Sequence, residues 1–287
     1  NEIQCNIVRG KAKEIKKNNK KYKRFSEHIG QFPVVIISPT DTNLITENSD
    51  VRRRYLDSSI AQYKKSYLQV LIQYNKALKQ KNYLLKRSHD NIYHDETTMD
   101  AYNKQLVDNG NLIYKERKKF LKQLQPVFNK YYSEISDSKE DVDLEYKSQL
   151  NDEEFTKLIS EFRQKEKISK ITQVGTHKDD IIFKMNKNPI KKTGSQGQQK
   201  SFLIALKLAQ FDFITKQIGF KPILLLDDIF DKLDDNRILK MMNFVNQNVF
   251  GQVFITDTHK ERSDAILKKA NISYDIYNIK DGKAKLE

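Results

Sequence analysis

The sequence predicts an α/β protein: a mixed sheet with flanking helices, interrupted by a helical arm and preceded by a small β-rich unit. Three observations carry this expectation. Residues 223–226, Ile-Leu-Leu-Leu, are an unbroken apolar run of strand length, suited to a parallel strand buried on both faces. Val34, Val35, Ile36 and Ile37 place four β-branched residues in a row, a strong strand signal. Between them, Leu56, Ile60, Tyr63, Tyr67, Val70, Tyr74 and Ala77 recur at alternating steps of four and three, which is a helical stripe.

Taken in order, Ile3, Cys5 and Ile7 alternate as in a strand. Residues 9–24 then carry nine Lys or Arg with Glu14 as the one acid. The strand at 33–38 stops at Pro39. Residues 50–88 read as about thirty residues of helix, roughly 45 Å at 1.5 Å per residue. A second helical stripe through Phe120, Leu124, Val127 and Tyr131 begins near Met99, with Asn109-Gly110 as a candidate break or kink. Residues 142–146 alternate like a strand. A third helix is expected over 153–168, with Asp152, Glu153 and Glu154 at its positive end and Phe155, Leu158, Ile159 and Phe162 on one face. The Tyr and Leu stripes of this region read as helix–helix core rather than as base-stacking surfaces. From residue 171 the chain turns α/β again: a hairpin over 181–189, a glycine-rich loop, a helix over 198–218, the strand at 223–226, a helix over 236–248 and a strand over 252–256. The expected division is 1–55 (a partial, β-rich lobe of the α/β unit), 56–170 (the arm) and 171–287 (the rest of the α/β unit).

Lys and Arg outnumber Asp and Glu by 52 to 38, a formal net charge of +14. Such an excess favours an anionic partner such as nucleic acid or an acidic membrane surface, and is also compatible with a plain solubility charge. Cys5 is the one cysteine. That excludes an internal disulfide and a multi-cysteine metal site, and it points to a reducing, cytoplasmic compartment. The longest apolar run, 222–226, is far short of a membrane span, and no signal peptide is visible. Asn1 opens directly onto a strand-like alternation, so a longer parent protein is expected.

The apolar run at 223–226 ends in Asp227-Asp228. Ligands of open α/β sheets sit at that edge of a strand. Two adjacent carboxylates raise each other's proton affinity unless a cation is present, so a metal is implied. Alone, two acids in a solvated turn would be an equally good reading. Upstream, Thr193-Gly-Ser-Gln-Gly-Gln-Gln-Lys200 leads into a helix. Its glycines permit close backbone approach to an anion, the helix N-terminus adds a favourable dipole, and Ser195 adds a donor. Alone, such a loop is more often just a loop. No segment supplies the phosphate-binding pattern GxxxxGK[ST].

Together these blocks resemble the RecF family, whose heads are ABC-class ATPases. Ser195-Gln-Gly-Gln-Gln-Lys200 resembles that family's signature. Leu224-Leu-Leu-Asp-Asp-Ile-Phe-Asp-Lys-Leu-Asp234 resembles its Walker B strand and D-loop. Gly175-Thr-His-Lys-Asp-Asp180, Ile37-Ser-Pro-Thr-Asp41 and Arg52-Arg-Arg-Tyr-Leu-Asp57 match further family blocks, in family order across nearly the whole chain. The resemblance implies an ABC-type ATPase head with ATP and Mg²⁺ as cofactors. Asp227 is expected to hold Mg²⁺ and Asp228 to be the catalytic carboxylate. Ser195, Gln196, Gly197 and Gln198 would face the γ-phosphate of ATP held by a second copy. Asp234 would lie at that dimer interface, and His259 is a candidate γ-phosphate contact with a register open by two positions. His177 reads as a structural hydrogen-bonding residue.

The resemblance further implies an ATP-dependent homodimer that binds single- and double-stranded DNA and helps load recombinase with RecO and RecR. The missing Walker A is expected in a preceding segment, leaving a slow DNA-dependent ATPase in the longer protein and an inactive chain without it. Candidate DNA contacts are Lys16, Lys17, Lys20 and Lys21, together with Arg52, Arg53 and Arg54. The arginines crowd a helix start, where cations oppose the dipole, which argues for an anion there. Lys115-Glu-Arg-Lys-Lys-Phe-Leu-Lys122 is a further basic run, as compatible with a solvated face. An SMC-like DNA clamp is the alternative, although its coiled coils should be longer. A transporter ATPase subunit fits the basic charge and the arm poorly.

Overall fold

The structure, a computed structural model, describes residues 2–10, 13–87, 96–136, 140–229, 235–246 and 249–287. The strands are β1 (Ile3–Asn6), β2 (Glu14–Lys17), β3 (Lys20–Lys21), β4 (Val34–Ile37), β5 (Val142–Lys147), β6 (Asp180–Met185), β7 (Asn188–Pro189), β8 (Ile223–Asp227), β9 (Val253–Thr256), β10 (Tyr277–Lys280) and β11 (Lys283–Leu286). The α-helices are α1 (Asn43–Thr46), α2 (Ser49–Tyr63), α3 (Lys65–Arg87), α4 (Glu96–Ser136), α5 (Phe155–Ser169), α6 (Ile190–Thr193), α7 (Gln196–Ile218), α8 (Asp235–Asn246) and α9 (Lys260–Lys269). The chain divides into two compact units. One comprises Asn1–Pro33, Glu47–Gln125 and Leu144–Phe183; the other comprises Val34–Thr46, Pro126–Asp143 and Lys184–Glu287. No helix among the described residues is long and apolar enough to cross a membrane.

In the first unit, β1, β2 and β3 form an antiparallel sheet in that order. Asn18 and Asn19 both take left-handed φ values, 48° and 63°, in the two-residue turn that joins β2 to β3. Asparagine tolerates that region, and two such residues make the turn that suits a twisted hairpin. The helical core runs through Tyr67, Tyr74, Ala77 and Leu85 of α3 and Leu106, Ile113 and Phe120 of α4, with Phe155 of α5.

Two expectations change here. The helix expected over 50–88 is two helices, because Lys64 leaves helical geometry at φ −126° and ψ 89°. Its N–H still donates to the Ile60 carbonyl, and its own carbonyl accepts from Tyr67 and Leu68, so one residue closes α2 and opens α3. Neither glycine nor proline marks that point, which is why the sequence is silent. Conversely, α4 runs unbroken through Asn109-Gly110 and through Pro126. Gly110 serves packing rather than bending: a Cβ there would lie 2.4 Å from Phe155 Cε1 and 3.1 Å from a Tyr74 ring carbon.

The second unit is built on a parallel sheet in the order β4–β8–β9. Val35, Ile37, Leu224 and Leu226 are buried on one of its faces. Ile36 and Phe254, which flank Leu225 in register, are half exposed on the other. α7 is apolar nearly all round after its first turn and is buried from Ser201 to Ile214 at most positions, as such a helix must be. Phe128 and Tyr132 of α4 meet Phe202 edge-on, and Phe211 meets Phe250 in the same way. The antiparallel pair β10–β11 has no counterpart in the sequence reading.

Candidate functional site

Parallel pairing brings the C-terminal ends of β8 and β9 to one edge, with Asp227 opposite Thr256. The Thr256 hydroxyl donates to Asp227 Oδ1 at 2.6 Å, and Asp227 is exposed. Asp228 follows with φ 50°, a left-handed conformation that a non-glycine residue adopts at a cost of order 1–3 kcal/mol. Its N–H donates to the Thr256 carbonyl at 3.2 Å, which anchors the strained residue to β9. His259 caps α9 three residues beyond β9, its N–H donating to Asp257 Oδ1 at 3.2 Å. Asp227, Asp228 and His259 thus follow the same ends of adjacent strands. Asp234 lies outside the described residues.

The chemistry of this edge fits a hard divalent cation in part. Such ions take oxygen ligands, and a carboxylate, a second carboxylate and a threonine hydroxyl are present. Among the described residues no group of three or more His, Cys, Asp or Glu forms a complete metal cage. Asp227 and Asp228 would therefore share an ion with ligands from elsewhere, such as phosphate oxygens.

Ser195 is the N-cap of α7. Its hydroxyl accepts from the Gln198 N–H at 3.2 Å, and Gln198 Oε1 accepts from the Ser195 N–H at 2.8 Å, a reciprocal capping box. Gln198 Nε2 donates to Glu140 Oε1 at 2.8 Å. The Gln198 amide is thus committed at both ends, whereas Ser195 and Gln196 are exposed at the positive end of a 23-residue helix. A Cβ on Gly197 would stand 2.7 Å from Arg237 Nη1, so α8 lays a guanidinium against the start of α7. Among the described residues, no hydrogen bond or ion pair joins Ser195–Gln198 to Asp227–Asp228.

In the first unit, Lys16 faces Lys21 and Lys17 faces Lys20 across β2–β3. Like charges directly opposed are unfavourable. Glu14 offsets one pair, bonding Lys21 at 2.7 Å and Lys16 at 3.3 Å, and these two lysines hold its carboxyl below its ordinary range. Lys17 donates to Gln31 at 2.7 Å. All four expected lysines therefore share one hairpin.

The arginines at the start of α2 divide. Arg52 makes a two-pronged bond to Asp180, at 2.6 and 3.0 Å, and Arg53 donates to the Asp179 carbonyl at 2.6 Å. Arg52 is thus answered by an internal carboxylate and Arg53 by an internal carbonyl. Arg54 is exposed and pairs with Asp50 at 3.0 Å.

Arg117 is a buried residue that its sequence surroundings conceal. It lies inside the basic run 115–122, yet it is 2% exposed. It donates twice to Asp57, and also to Asp179 Oδ2 at 3.0 Å and the Thr176 carbonyl at 2.7 Å. Tyr67 donates to Asp57, and Tyr146 to Asp179, at 2.5 Å each. Burial alone would pull the Arg117 guanidinium down; Asp57, then Tyr67, Tyr146 and Asp179, more than offset it and hold it well above its ordinary value. Burial pushes the Asp179 carboxyl up against the pull of Arg117. The blocks 52–57 and 175–180 are therefore one buried ionic assembly. His177 belongs beside it: Nε2 lies 3.2 Å from the Thr172 carbonyl and must donate, so Nδ1 accepts from Tyr74 at 2.8 Å. Burial pulls this imidazole down to about 4, so it is neutral.

No protein-family model matches the chain. The DNA replication and repair protein RecF of Flavobacterium johnsoniae is 49% identical over 278 residues, covering 97% of this chain and 77% of that protein. Its counterpart in Azobacteroides pseudotrichonymphae is 45% identical over 281 residues, covering 98% and 76%. Among solved structures, the recombination mediator protein RecF-ATP in the RecFOR pathway superposes with a TM-score of 0.85 at 28% identity, covering 99% of this chain and 75% of that one. The Smc head domain of Pyrococcus furiosus, bound to the C-terminal domain of ScpA, aligns with a TM-score of 0.51 at 13% identity, a likeness of fold alone.

Proposed function

The chain belongs to the RecF family of DNA replication and repair proteins, and from that membership we propose that it carries most of an ATP-dependent, DNA-binding recombination mediator. ATP with Mg²⁺ is held at the C-terminal edge of β8. Asp227 takes the ion, and Asp228 orients and deprotonates the attacking water. Ser195 and Gln196, with the first N–H groups of α7, face the γ-phosphate of ATP on a second copy; Gln198 holds that loop in shape and Gly197 makes room for Arg237. Nucleotide therefore acts as the glue of a homodimer, and hydrolysis releases it. His259 and Asp234 complete the interface. The dimer engages single- and double-stranded DNA, with Lys16, Lys17, Lys20, Lys21 and Arg54 as contacts. Arg52 and Arg53 tie the start of α2 to the 179–180 segment. RecO and RecR are the partners through which recombinase is loaded.

The observation that carries this reading is the edge itself: an exposed carboxylate, then a strained carboxylate, at the end of a parallel strand. The test is Ser195→Arg in the longer protein that includes the Walker A segment. A bulky cation in place of the small N-cap should abolish ATP-induced dimerisation, while the monomer still binds nucleotide. Sedimentation showing an intact ATP-induced dimer in that variant would remove the α7 loop from the shared site.

A further inference from the structure

α3 carries Lys65, Lys76, Lys79, Lys81, Lys86 and Arg87 and no Asp or Glu in its 23 residues. At the chain's overall frequency of 38 acids in 287 residues, such a stretch would hold about three. Lys81 points inward, where it and Glu166 are both 2% exposed and bond at 2.7 Å. The remaining bases face out. Lys65, Gln69, Ile72, Lys76, Lys79, Tyr83 and Lys86 are all exposed, and they follow one another at alternating steps of four and three. They form one straight stripe of roughly 32 Å at 1.5 Å per residue.

Other helices of this chain neutralise their outward cations along the same turn. Pairs four residues apart are Arg54–Asp50 on α2, Lys104–Asp108 on α4, Lys157–Glu153 on α5, Lys216–Asp212 on α7 and Lys268–Asp264 on α9. Among the described residues, Lys65, Lys76, Lys79 and Lys86 have no acid within ion-pair distance. Lys76 and Lys79 instead stand next to each other, three residues apart, where like charges repel. Such repulsion is unfavourable to the helix, and an external polyanion would offset it. Two further features narrow the partner. Ile72 and Tyr83 lie on the same stripe, 49% and 51% exposed. The Arg87 guanidinium stands 5.1 Å from the Tyr83 ring centroid. A flat ring beside a guanidinium is the pairing on which unstacked bases lie, and a duplex keeps its bases out of reach. Two apolar side chains are too few for stable burial in a lipid surface.

We propose that the outward stripe of α3 is a binding track for single-stranded nucleic acid, with Lys65, Lys76, Lys79 and Lys86 on phosphates spaced along the strand and Tyr83 stacked on a base. This rests on the DNA-binding reading above and assigns it a surface separate from the β2–β3 hairpin.

The test uses the chain as it stands. Labelled oligo-dT and a duplex of equal length are titrated by fluorescence anisotropy across a salt series, with anionic phospholipid vesicles as a parallel arm. The variants are Lys76→Glu/Lys79→Glu/Lys86→Glu, the milder triple Lys→Gln at the same positions, and Tyr83→Ala, each with its melting temperature recorded. The charge-reversed chain should bind oligo-dT at least tenfold more weakly, with a log–log salt slope shallower by about two, from three contacts at about 0.7 each. The Gln triple should show the same shift in slope. Tyr83→Ala should weaken oligo-dT binding several-fold, leave the slope unchanged and leave duplex binding alone. If the chain binds DNA and both triples match it in affinity and slope, the α3 track is wrong while the broader reading stands. Equal loss on duplex and oligo-dT in Tyr83→Ala, or binding to vesicles alone, also overturns it. A chain that binds neither polymer removes the track and the DNA-binding reading together.

Discussion

Arg117 and Asp57 meet side by side: Nε donates to Oδ1 and Nη2 to Oδ2, each at 3.0 Å. The same guanidinium holds Asp179 and the Thr176 carbonyl, so one side chain bonds two carboxylates. Arg117→Met keeps much of the volume and leaves both acids uncompensated. Removing one partner of a buried pair costs about 3–5 kcal/mol. Urea unfolding should show a loss of that order, smaller in Arg117→Met/Asp57→Asn than the sum of the single changes. A midpoint within error of the parent would mean that the assembly contributes nothing to stability.

This assembly also shows what the sequence discloses. Arg117 sits in a run of five cations between 115 and 122 and reads with them as surface. Yet Ile113, Arg117, Phe120 and Leu124 follow the helical step, and all four are buried. The stripe was legible; the residue type masked it. The block Arg52–Asp57 was recognisable as a motif, but its partners at 175–180 lie more than a hundred residues on, and no local signal predicts that pairing. The strands β4, β8 and β9 were visible because β-branched and apolar runs of strand length have few other uses. The break at Lys64 was invisible because neither glycine nor proline marks it. Of the candidate site, Ser195 and Asp227 could be placed from helix and strand ends. The commitment of Gln198 to Glu140 could not, since Glu140 precedes it by 58 residues.

His177 makes stability depend on pH. Its imidazole is held at about 4 by burial, against an ordinary 6.5. Between those values the unfolded chain binds a proton that the folded chain refuses. Stability is therefore complete above about 6.5 and is lost as pH falls toward 4, by up to about 3 kcal/mol, since each tenfold difference in proton affinity between the two states is worth about 1.36 kcal/mol. Protonation would place a hydrogen on Nδ1, where Tyr74 already donates. Asp179 works in the opposite direction, since its raised carboxyl favours the folded state on acidification. His177→Gln should flatten the dependence of the unfolding free energy between pH 6.5 and 4. An unchanged slope in that variant would show that another group controls the window.

Without a GxxxxGK[ST] segment, the chain offers the β8 carboxylates and the α7 start but no lysine to grip the phosphates. Calorimetric titration with MgATP should give no micromolar binding and no turnover. Robust hydrolysis by the chain alone would reveal a nucleotide site distinct from the one proposed.

The adjacent carboxylates should separate by function. Asp228→Asn preserves shape and the left-handed backbone that asparagine tolerates, but it removes the charge. If Asp228 deprotonates the attacking water, single-turnover hydrolysis in the longer protein should fall by about a hundredfold or more, within the range for general-base catalysis. ATP should still bind, and the dimer should live longer. Asp227→Asn retains an amide oxygen that can accept from Thr256, so the edge of β8 and β9 should stay intact. What it loses is the charge facing the ion, and its defect should shrink as Mg²⁺ is raised, whereas that of Asp228→Asn should not. Equal defects, both indifferent to Mg²⁺, would show that neither residue has the separate part assigned to it.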